Sequence, residues 1–197
     1  MEELSIPYEV KMISMAEVKQ PAYESINPNG RVPAIQDPNT GITLWESGAI
    51  IEYLIETYDT SHKLTYTSAP EKWHLKQWLY FQTSGQGPYF GQAAWFTYYH
   101  PEKLESARLR YVGEIKRVVS VLNRALEGKQ YLVGDKATYA DLAFVPWDAG
   151  TTRLLKDDEA IDAAKDYPHY YAWQQRILAR PAVKKATAPP ATAAQKH

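Results

Sequence analysis

Two short segments near the start of the chain carry residue types suited to holding a zwitterionic amino acid. In the run at 27–33, Asn-Pro-Asn-Gly-Arg leads into Val32-Pro33 directly before an apolar, strand-like run. If the bond before Pro33 is cis, the N–H and C=O of Val32 are turned outward and can pair with an extended ligand backbone. The other segment is Glu46-Ser47, at the predicted start of a helix. Free N–H groups there favour an anion, and the carboxylate can hold an ammonium group, although the pair taken alone also fits a plain helix cap.

The elements that must position these segments form a small α/β region. The turn formers Asp-Pro-Asn-Thr-Gly at 37–41 separate two short apolar runs, which predicts a β-hairpin. Ser47 is predicted to supply the N-cap oxygen of the following helix. The predicted order is a strand at Tyr8–Ile13, a short helix at about 22–26, hairpin strands at 34–36 and 42–45, and a helix after Ser47.

From Pro70 onward the apolar spacing is helical throughout. A long aromatic-rich helix is expected from Glu71 to about Phe96, with a kink or break where Gly85, Gly87 and Pro88 fall. Further elements are predicted as follows: a helix whose first turn holds Pro101 and whose C-cap candidate is Gly128, a helix opened by the capping box Thr138–Asp141, and a last helix from Pro168 to about Ala179.

The domain prediction follows from these patterns. We expect a small α/β domain at 1–60, a linker at 61–69, an all-helical domain at 70–186 and a flexible tail at 187–197. The fold class is therefore α/β followed by all-α.

Composition narrows the class of function. Lys plus Arg number 22 and Asp plus Glu 23, so the net charge of −1 gives no basic footprint for nucleic acid or an anionic membrane. The absence of cysteine excludes disulfides, Cys-ligated metals and a Cys nucleophile. No apolar run is long enough for a membrane span, and the acidic start does not match a signal peptide, so we expect a cytoplasmic protein. The five histidines are scattered without ligand spacing, so no metal site is predicted.

Four stretches in combination resemble the cytosolic glutathione transferases. The run Ile26–Pro33 followed by Leu44–Ile50 resembles their glutathione-binding signature, and the runs Phe81–Ala93 and Tyr131–Trp147 resemble the fungal branch that includes the yeast nitrogen-catabolite regulator, together with the bacterial nu class. The resemblance covers the chain to about Lys185. It implies a thioredoxin-like domain followed by the helical domain of that family, with glutathione as co-substrate.

The resemblance also assigns roles to particular residues. Val32, before a cis-Pro33, would pair with the cysteinyl backbone, Glu46 and Ser47 would hold the γ-glutamyl end, and the Thr138–Asp141 box would serve folding. Lys19 and Arg31 would meet the glycyl carboxylate. The mouth of an apolar acceptor site would lie along 82–96, and the candidates there, each of which also fits core packing, are Tyr89, Trp95, Phe96 and Trp147.

At its N-terminal end the sequence departs from the family pattern. Met1–Leu4 resembles the last turn of the family's first helix, so about 20–25 residues, one strand and most of a helix, are expected to be missing. That segment normally supplies the group that stabilises the glutathione thiolate. No catalytic residue is therefore assigned, and Tyr8–Ile13 is expected to lack its ladder partner.

Four interpretations remain open. The leading one is a glutathione transferase acting on an apolar electrophile, with the aromatic enrichment favouring a planar, polyketide-like acceptor from fungal secondary metabolism. The second is an isomerase or cyclisation catalyst that does not conjugate glutathione. The third is a non-catalytic binding or regulatory protein, and the fourth is a truncated gene product without a function of its own. The resemblance further implies a homodimer.

Overall fold

The predicted hairpin is present, and its register sets the geometry of the first region. In the computed structural model, which describes residues 1–148 and 162–188, β1 (Ala34–Asp37) pairs antiparallel with β2 (Ile42–Trp45). Ala34 lies opposite Trp45, and Asp37 lies opposite Ile42. The turn is closed by the Gly41 N–H, which donates to the Asp37 carbonyl at 2.9 Å. Gly41 has a φ of 73°, a conformation that glycine adopts without steric cost.

The strand predicted at Tyr8–Ile13 is wrong. These residues have no regular secondary structure, and the side chains of Val10 and Met12 are exposed. Alternating polarity describes a segment that could lie on a sheet, but a strand forms only where a neighbouring backbone completes its hydrogen bonds. In the described ranges, the sheet consists of β1 and β2, and neither pairs with this segment.

Short helical elements flank the hairpin. A 3₁₀ turn at Glu17–Lys19 leads into α1 (Pro21–Glu24), close to the helix predicted at 22–26. After β2, α2 runs over Ser47–Tyr58. The prediction that Ser47 caps this helix is wrong: Ser47 is its first helical residue, and Glu46 occupies the cap position without a side-chain capping bond. A cap oxygen must come from the residue before the helix, and here that residue is glutamate.

The chain divides into two compact regions between Thr65 and Tyr66, inside the predicted linker. We call Glu3–Thr65 the N-terminal region and the described residues from Tyr66 onward the helical region. Together they give the predicted fold class, a small sheet with helices followed by helices alone. The predicted tail beyond residue 188 lies outside the described residues.

The long helix predicted from Glu71 changes its winding twice without breaking. It consists of α3 (Glu71–Phe81), a π-helical turn at Gln82–Gln86, α4 (Gly87–Ala94) and a second π-helical turn at Trp95–Tyr99. The first π turn falls where the glycines and Pro88 predicted an irregularity. A π turn accommodates an extra residue within the helix. The helix therefore keeps its direction, and the residues after the turn are shifted by one position relative to a regular α-helix.

Helix α5 spans Glu105–Ala125 and supplies the main apolar face of the helical region. The prediction that it begins around Pro101 is wrong. The His100 ring accepts the Glu102 N–H at 3.1 Å through Nδ1, which forms a local turn, and the helix starts after Leu104. The apolar face of α5 is formed by five buried residues: Val112, Ile115, Val118, Val119 and Leu122.

The capping box predicted at Thr138–Asp141 is confirmed at the start of α6 (Tyr139–Ala143). The buried Asp141 carboxylate accepts hydrogen bonds from Thr138 N and Oγ1, both at 2.9 Å, from Leu132 N at 3.0 Å and from Trp173 Nε1 at 2.8 Å. Burial raises the pKa of Asp141, and these donors oppose that shift. One side chain therefore joins a loop, a helix start and a later helix.

Residues 162–188, the second described range, contain three helices: α7 (Ala163–Asp166), α8 (Pro168–Leu178) and α9 (Pro181–Thr187). The last helix predicted, Pro168 to about Ala179, corresponds to α8. Within residues 1–148 and 162–188, no helix combines the length and apolar character that a membrane span requires.

Candidate functional site

The register of the hairpin brings the two predicted halves of the amino-acid site to one end. Because Ala34 pairs with Trp45, the residues just outside this pair, Pro33 and Glu46, stand at the open end of the hairpin. Val32 precedes the first and Ser47 follows the second. Segments separated by more than ten residues in the sequence are thus held next to each other by backbone pairing alone.

The loop that carries Val32 presents its backbone outward. The Val32–Pro33 peptide bond is cis, as expected, and Val32 is 60% exposed. In the described part of the chain, no protein group hydrogen-bonds to the Val32 N–H or C=O. Behind the loop, the Arg31 carbonyl accepts the Tyr23 hydroxyl at 2.8 Å and the Asn27 amide at 2.5 Å. The loop is therefore fixed from its inner side while an extended ligand backbone can reach Val32.

Lys19 lies against the same loop. Its ammonium donates to the Asn29 carbonyl at 3.0 Å, and a Cβ added to Gly30 would stand 2.8 Å from the Val18 carbonyl and 2.9 Å from Lys19 Nζ. Gly30 has a φ of 58°, so both its conformation and its close approach require glycine. The exposed Arg31 follows directly. Two cations are thus placed beside the outward-facing backbone, where a carboxylate could be held.

Glu46 has the most unusual backbone at this site. Its φ of 72° and ψ of 117° lie where a residue with a Cβ is strained by about 1–3 kcal/mol. Its side chain is exposed, and among the described residues its carboxylate makes no ion pair or hydrogen bond. Its carbonyl accepts the Ile50 N–H at 2.9 Å, which closes the first turn of α2. The carboxylate of Glu46 and the hydroxyl of Ser47 therefore stand together at a helix start, able to meet an ammonium and a carboxylate group.

Sequence reasoning missed a polar cluster at the opposite end of the hairpin. Asp37 Oδ2 accepts the Tyr53 hydroxyl at 2.6 Å and also the Tyr58 hydroxyl, and Asp37 Oδ1 accepts the Asn39 N–H at 2.9 Å. Thr40 Oγ1 lies 2.6 Å from the Tyr53 hydroxyl. We call these five residues the Asp37 cluster. The hydrogen bonds from Tyr53 and Tyr58 lower the pKa of Asp37 to about 2. The aspartate was assigned only to the turn, since nothing in the sequence relates it to tyrosines 16 and 21 residues later.

Of the four predicted acceptor-site aromatics, Trp147 packs against the long helix and Trp95 lies on it. In the helical region, the Trp147 indole packs on the glycines of α4: a Cβ on Gly87 would lie 3.4 Å from its Nε1, and one on Gly91 would lie 3.3 Å from its ring. Trp95 comes one turn after Gly91 and is 47% exposed. The glycines were predicted only to disturb the helix, but they also make room for an indole.

The other two aromatics face α5. Phe96 stacks on Tyr111, with ring centroids 5.6 Å apart and an interplanar angle of 8°, and on His100 at 5.1 Å. Tyr89 lies under the Arg117 guanidinium, 5.6 Å from the ring centroid. Tyr89 and Phe96 therefore contact α5, and the His100 ring, whose centroid lies 6.2 Å from that of Trp95, connects Phe96 to Trp95.

A buried carboxyl adjoins Trp147. Asp148 Oδ1 accepts Gln86 Nε2 at 3.0 Å and the Tyr170 hydroxyl at 3.0 Å. Burial raises the pKa of Asp148 to about 7, and these two hydrogen bonds oppose the shift. Gln86 also donates to the Phe144 carbonyl at 3.2 Å, so the first π turn is fixed to the residues around Asp148.

Comparison with known proteins gives one consistent family. Residues 1–57 match the glutathione S-transferase N-terminal domain, and residues 88–181 match the glutathione S-transferase C-terminal domain. The glutathione S-transferase-like protein gedE of Aspergillus terreus is 46% identical over 194 residues, covering 94% of this chain and 85% of gedE.

Solved structures agree with this. The glutathione transferase URE2P6 of Phanerochaete chrysosporium, in complex with oxidized glutathione, is 46% identical with a TM-score of 0.87, over 93% of this chain and 84% of its own. Ure2p5 of the same fungus, cocrystallized with 1-(S-glutathionyl)-2,4-dinitrobenzene, is 38% identical with a TM-score of 0.90, over 100% and 89%. The chain belongs to the glutathione S-transferase family, among relatives of the Ure2p type.

Proposed function

We propose that this protein binds glutathione at the open end of the hairpin and transfers it to an apolar electrophile. The observation that carries the proposal is the arrangement of Val32 and Glu46 there: an exposed backbone beside an unpaired carboxylate. In this arrangement Glu46 meets the γ-glutamyl ammonium, Ser47 meets the γ-glutamyl carboxylate, and Val32 pairs with the cysteinyl backbone. Lys19 and Arg31 meet the glycyl carboxylate.

The conjugation step follows from thiol chemistry. The glutathione thiol loses its proton to solvent, and the thiolate sulfur forms a bond to an electrophilic carbon as that carbon's leaving group departs. No residue of this chain is assigned to stabilising the thiolate. Ure2p5 was crystallised with a dinitrobenzene conjugate, which supports an aromatic electrophile as the second substrate.

The acceptor class is proposed from the aromatic side chains of the helical region. Trp147 and Trp95 offer an apolar surface with partly exposed rings, suited to a planar compound. Tyr89 and Phe96 are proposed as packing behind it, toward α5. We propose a polyketide-like aromatic acceptor of fungal secondary metabolism, handled in the cytoplasm.

A homodimer is proposed as the working form. On α3, the exposed rings of Trp73 and Tyr80 lie seven residues apart and therefore on one face. Large exposed aromatics on one face favour contact with another protein surface. Sedimentation velocity at micromolar concentration tests this: a single species of about 45 kDa, twice the 22.4 kDa of the chain, is expected.

The test of the main proposal is isothermal titration of glutathione into the wild-type protein and Glu46→Gln. Loss of a charge-assisted hydrogen bond to the ammonium group should weaken binding by about 10–100-fold. Glu56→Gln, an exposed glutamate later on α2, is the matched control and should bind as the wild type does.

Absence of saturable binding in a folded wild-type protein would overturn the proposal. If glutathione binds, mixing with 1-chloro-2,4-dinitrobenzene decides whether conjugation follows. Binding without any absorbance change from the conjugate would favour the non-catalytic interpretation.

A further inference from the structure

We propose that Asp37 is a positioning residue for glutathione: the Asp37 cluster holds α2 along the hairpin and thereby keeps the Glu46 carboxylate directed at the γ-glutamyl group. The inference rests on the proposed function, because it concerns the same site. It goes beyond the proposed function because the residues of the Asp37 cluster contact no part of the ligand and lie at the end of the hairpin opposite Glu46.

The first step of the argument is distance along the elements. Asp37 and Ile42 form the last pair of the hairpin, and Ala34 and Trp45 form the first pair, next to Glu46. Four residues of strand span about 10–13 Å. From Ser47 to Tyr53 helix α2 rises about 9 Å, and to Tyr58 about 16 Å. The two tyrosines therefore reach back to the turn that Asp37 begins.

The second step is that both tyrosines converge on one oxygen. The hydroxyls of Tyr53 and Tyr58 donate to Asp37 Oδ2, and their rings meet edge to face with centroids 6.3 Å apart. Asn39 Nδ2 reaches the Tyr58 hydroxyl at 3.4 Å, and Thr40 Oγ1 reaches that of Tyr53. The four hydrogen bonds that Tyr53 and Tyr58 make here join the hairpin to α2, so the cluster fixes the angle between them.

The third step concerns Glu46, the single residue between β2 and α2. Its positive φ is a conformation that persists only where the surroundings determine it. The hairpin ladder fixes the chain before Glu46, and the Asp37 cluster fixes the helix after it. Without the cluster, α2 can swing about this residue, φ can relax to a negative value, and the carboxylate then turns away from the position that the ammonium group occupies.

The experiment compares S-hexylglutathione with S-hexyl-cysteinylglycine, which lacks the γ-glutamyl group. We expect the double variant Tyr53→Phe/Tyr58→Phe to bind S-hexylglutathione about tenfold more weakly and to bind the shorter ligand unchanged. The preference of the wild type for S-hexylglutathione should shrink by the same factor. Tyr66→Phe, which removes a 2.6 Å tyrosine–aspartate bond to Asp135 in the helical region, is the matched control and should keep the wild-type preference.

The possible outcomes separate the two proposals. A wild type without any preference for S-hexylglutathione would overturn the proposed function itself. A wild-type preference that the double variant retains, or equal weakening of both ligands, would overturn only the positioning role. If the double variant does not fold, the single variants decide: each should reduce the preference about threefold, and an unchanged preference in both contradicts the inference.

Discussion

Two aspartates, one in each region, show how differently the halves of this molecule use a carboxylate. Asp37 in the N-terminal region is accessible to solvent, and hydrogen bonds from Tyr53 and Tyr58 lower its pKa to about 2. Asp148 in the helical region is fully buried, and burial raises its pKa to about 7. At the hairpin turn, the N-terminal region keeps the Asp37 carboxylate near the surface and orders it through hydroxyl groups from α2. The helical region encloses polar groups and orders its helices around them.

The difference extends to the apolar core. In the N-terminal region, the buried apolar side chains are Val18, Tyr23, Ile50 and Leu64. The helical region buries whole rings, including Trp173, Tyr170, Phe90 and Phe144. A surface that binds a small polar peptide needs groups in contact with water. A scaffold, in contrast, gains stability from apolar surface area that is removed from water.

The largest expected effect is that of Asp141→Ala in the helical region. The substitution leaves the donors of Thr138, Leu132 and Trp173 buried without an acceptor, so the free energy of unfolding should fall by about 3–5 kcal/mol. Urea unfolding followed by tryptophan fluorescence measures it. Asp162→Ala removes an exposed cap of α7 and should cost about 1 kcal/mol. Equal losses in the two variants would contradict the contrast between enclosed and exposed carboxylates.

A second effect concerns the pH dependence of stability. The folded protein keeps the Asp148 proton up to about pH 7, whereas the unfolded chain releases it near the ordinary carboxyl pKa of about 4. Between these values the folded state binds more protons, so the free energy of unfolding should fall as pH rises, by at most about 1.4 kcal/mol per pH unit.

Asp148→Asn provides the comparison, because an amide does not ionise and can still accept the bonds from Gln86 and Tyr170. The difference in unfolding free energy between variant and wild type should therefore change across pH 4–7 in urea titrations. Parallel pH profiles for the two proteins would show that Asp148 does not titrate in this range.

A smaller effect is expected for Asn27→Ala in the N-terminal region. The buried Asn27 amide donates to the Arg31 carbonyl, and its oxygen accepts the Asn29 N–H at 2.9 Å. Its loss should destabilise the loop by about 1–2 kcal/mol and weaken glutathione binding a few-fold. Hydrogen exchange of a peptide covering 26–33 should speed up, whereas Asn29→Ala, which changes an exposed side chain, should leave it unaltered. Similar exchange in the two variants would contradict a role for the buried amide.

The sequence predicted what depends on local chemistry. Turn formers identified the hairpin, and the spacing of Thr138 and Asp141 identified the capping box. These signals succeed because each reports contacts among residues that are near in the chain. The placement of Glu46 beside Pro33 follows from them, since a hairpin brings its two ends together.

What failed depends on contacts between distant residues. The segment Tyr8–Ile13 has the alternation of a strand but no neighbouring backbone, and alternation does not reveal a partner. The burial of Asp148 follows from Gln86 and Tyr170, which lie 62 and 22 residues away. The start of α5 moved from Pro101 to Glu105 because the His100 ring forms its own turn.

The two π-helical turns allow the long helix to hold more residues than a regular α-helix of the same length. Each five-residue turn holds about one residue more than an α-helical turn, so the extra residue is taken up inside the turn and the helix after it keeps its orientation. Removing one residue from Gln82–Gln86 would restore a continuous α-helix and leave Gly87 and Gly91 facing the Trp147 indole, whereas forcing all five residues into α-helical winding would rotate both glycines by about 100°. A one-residue gap at this point in an alignment of related chains therefore marks the loss of the π turn, with the helix face against Trp147 unchanged.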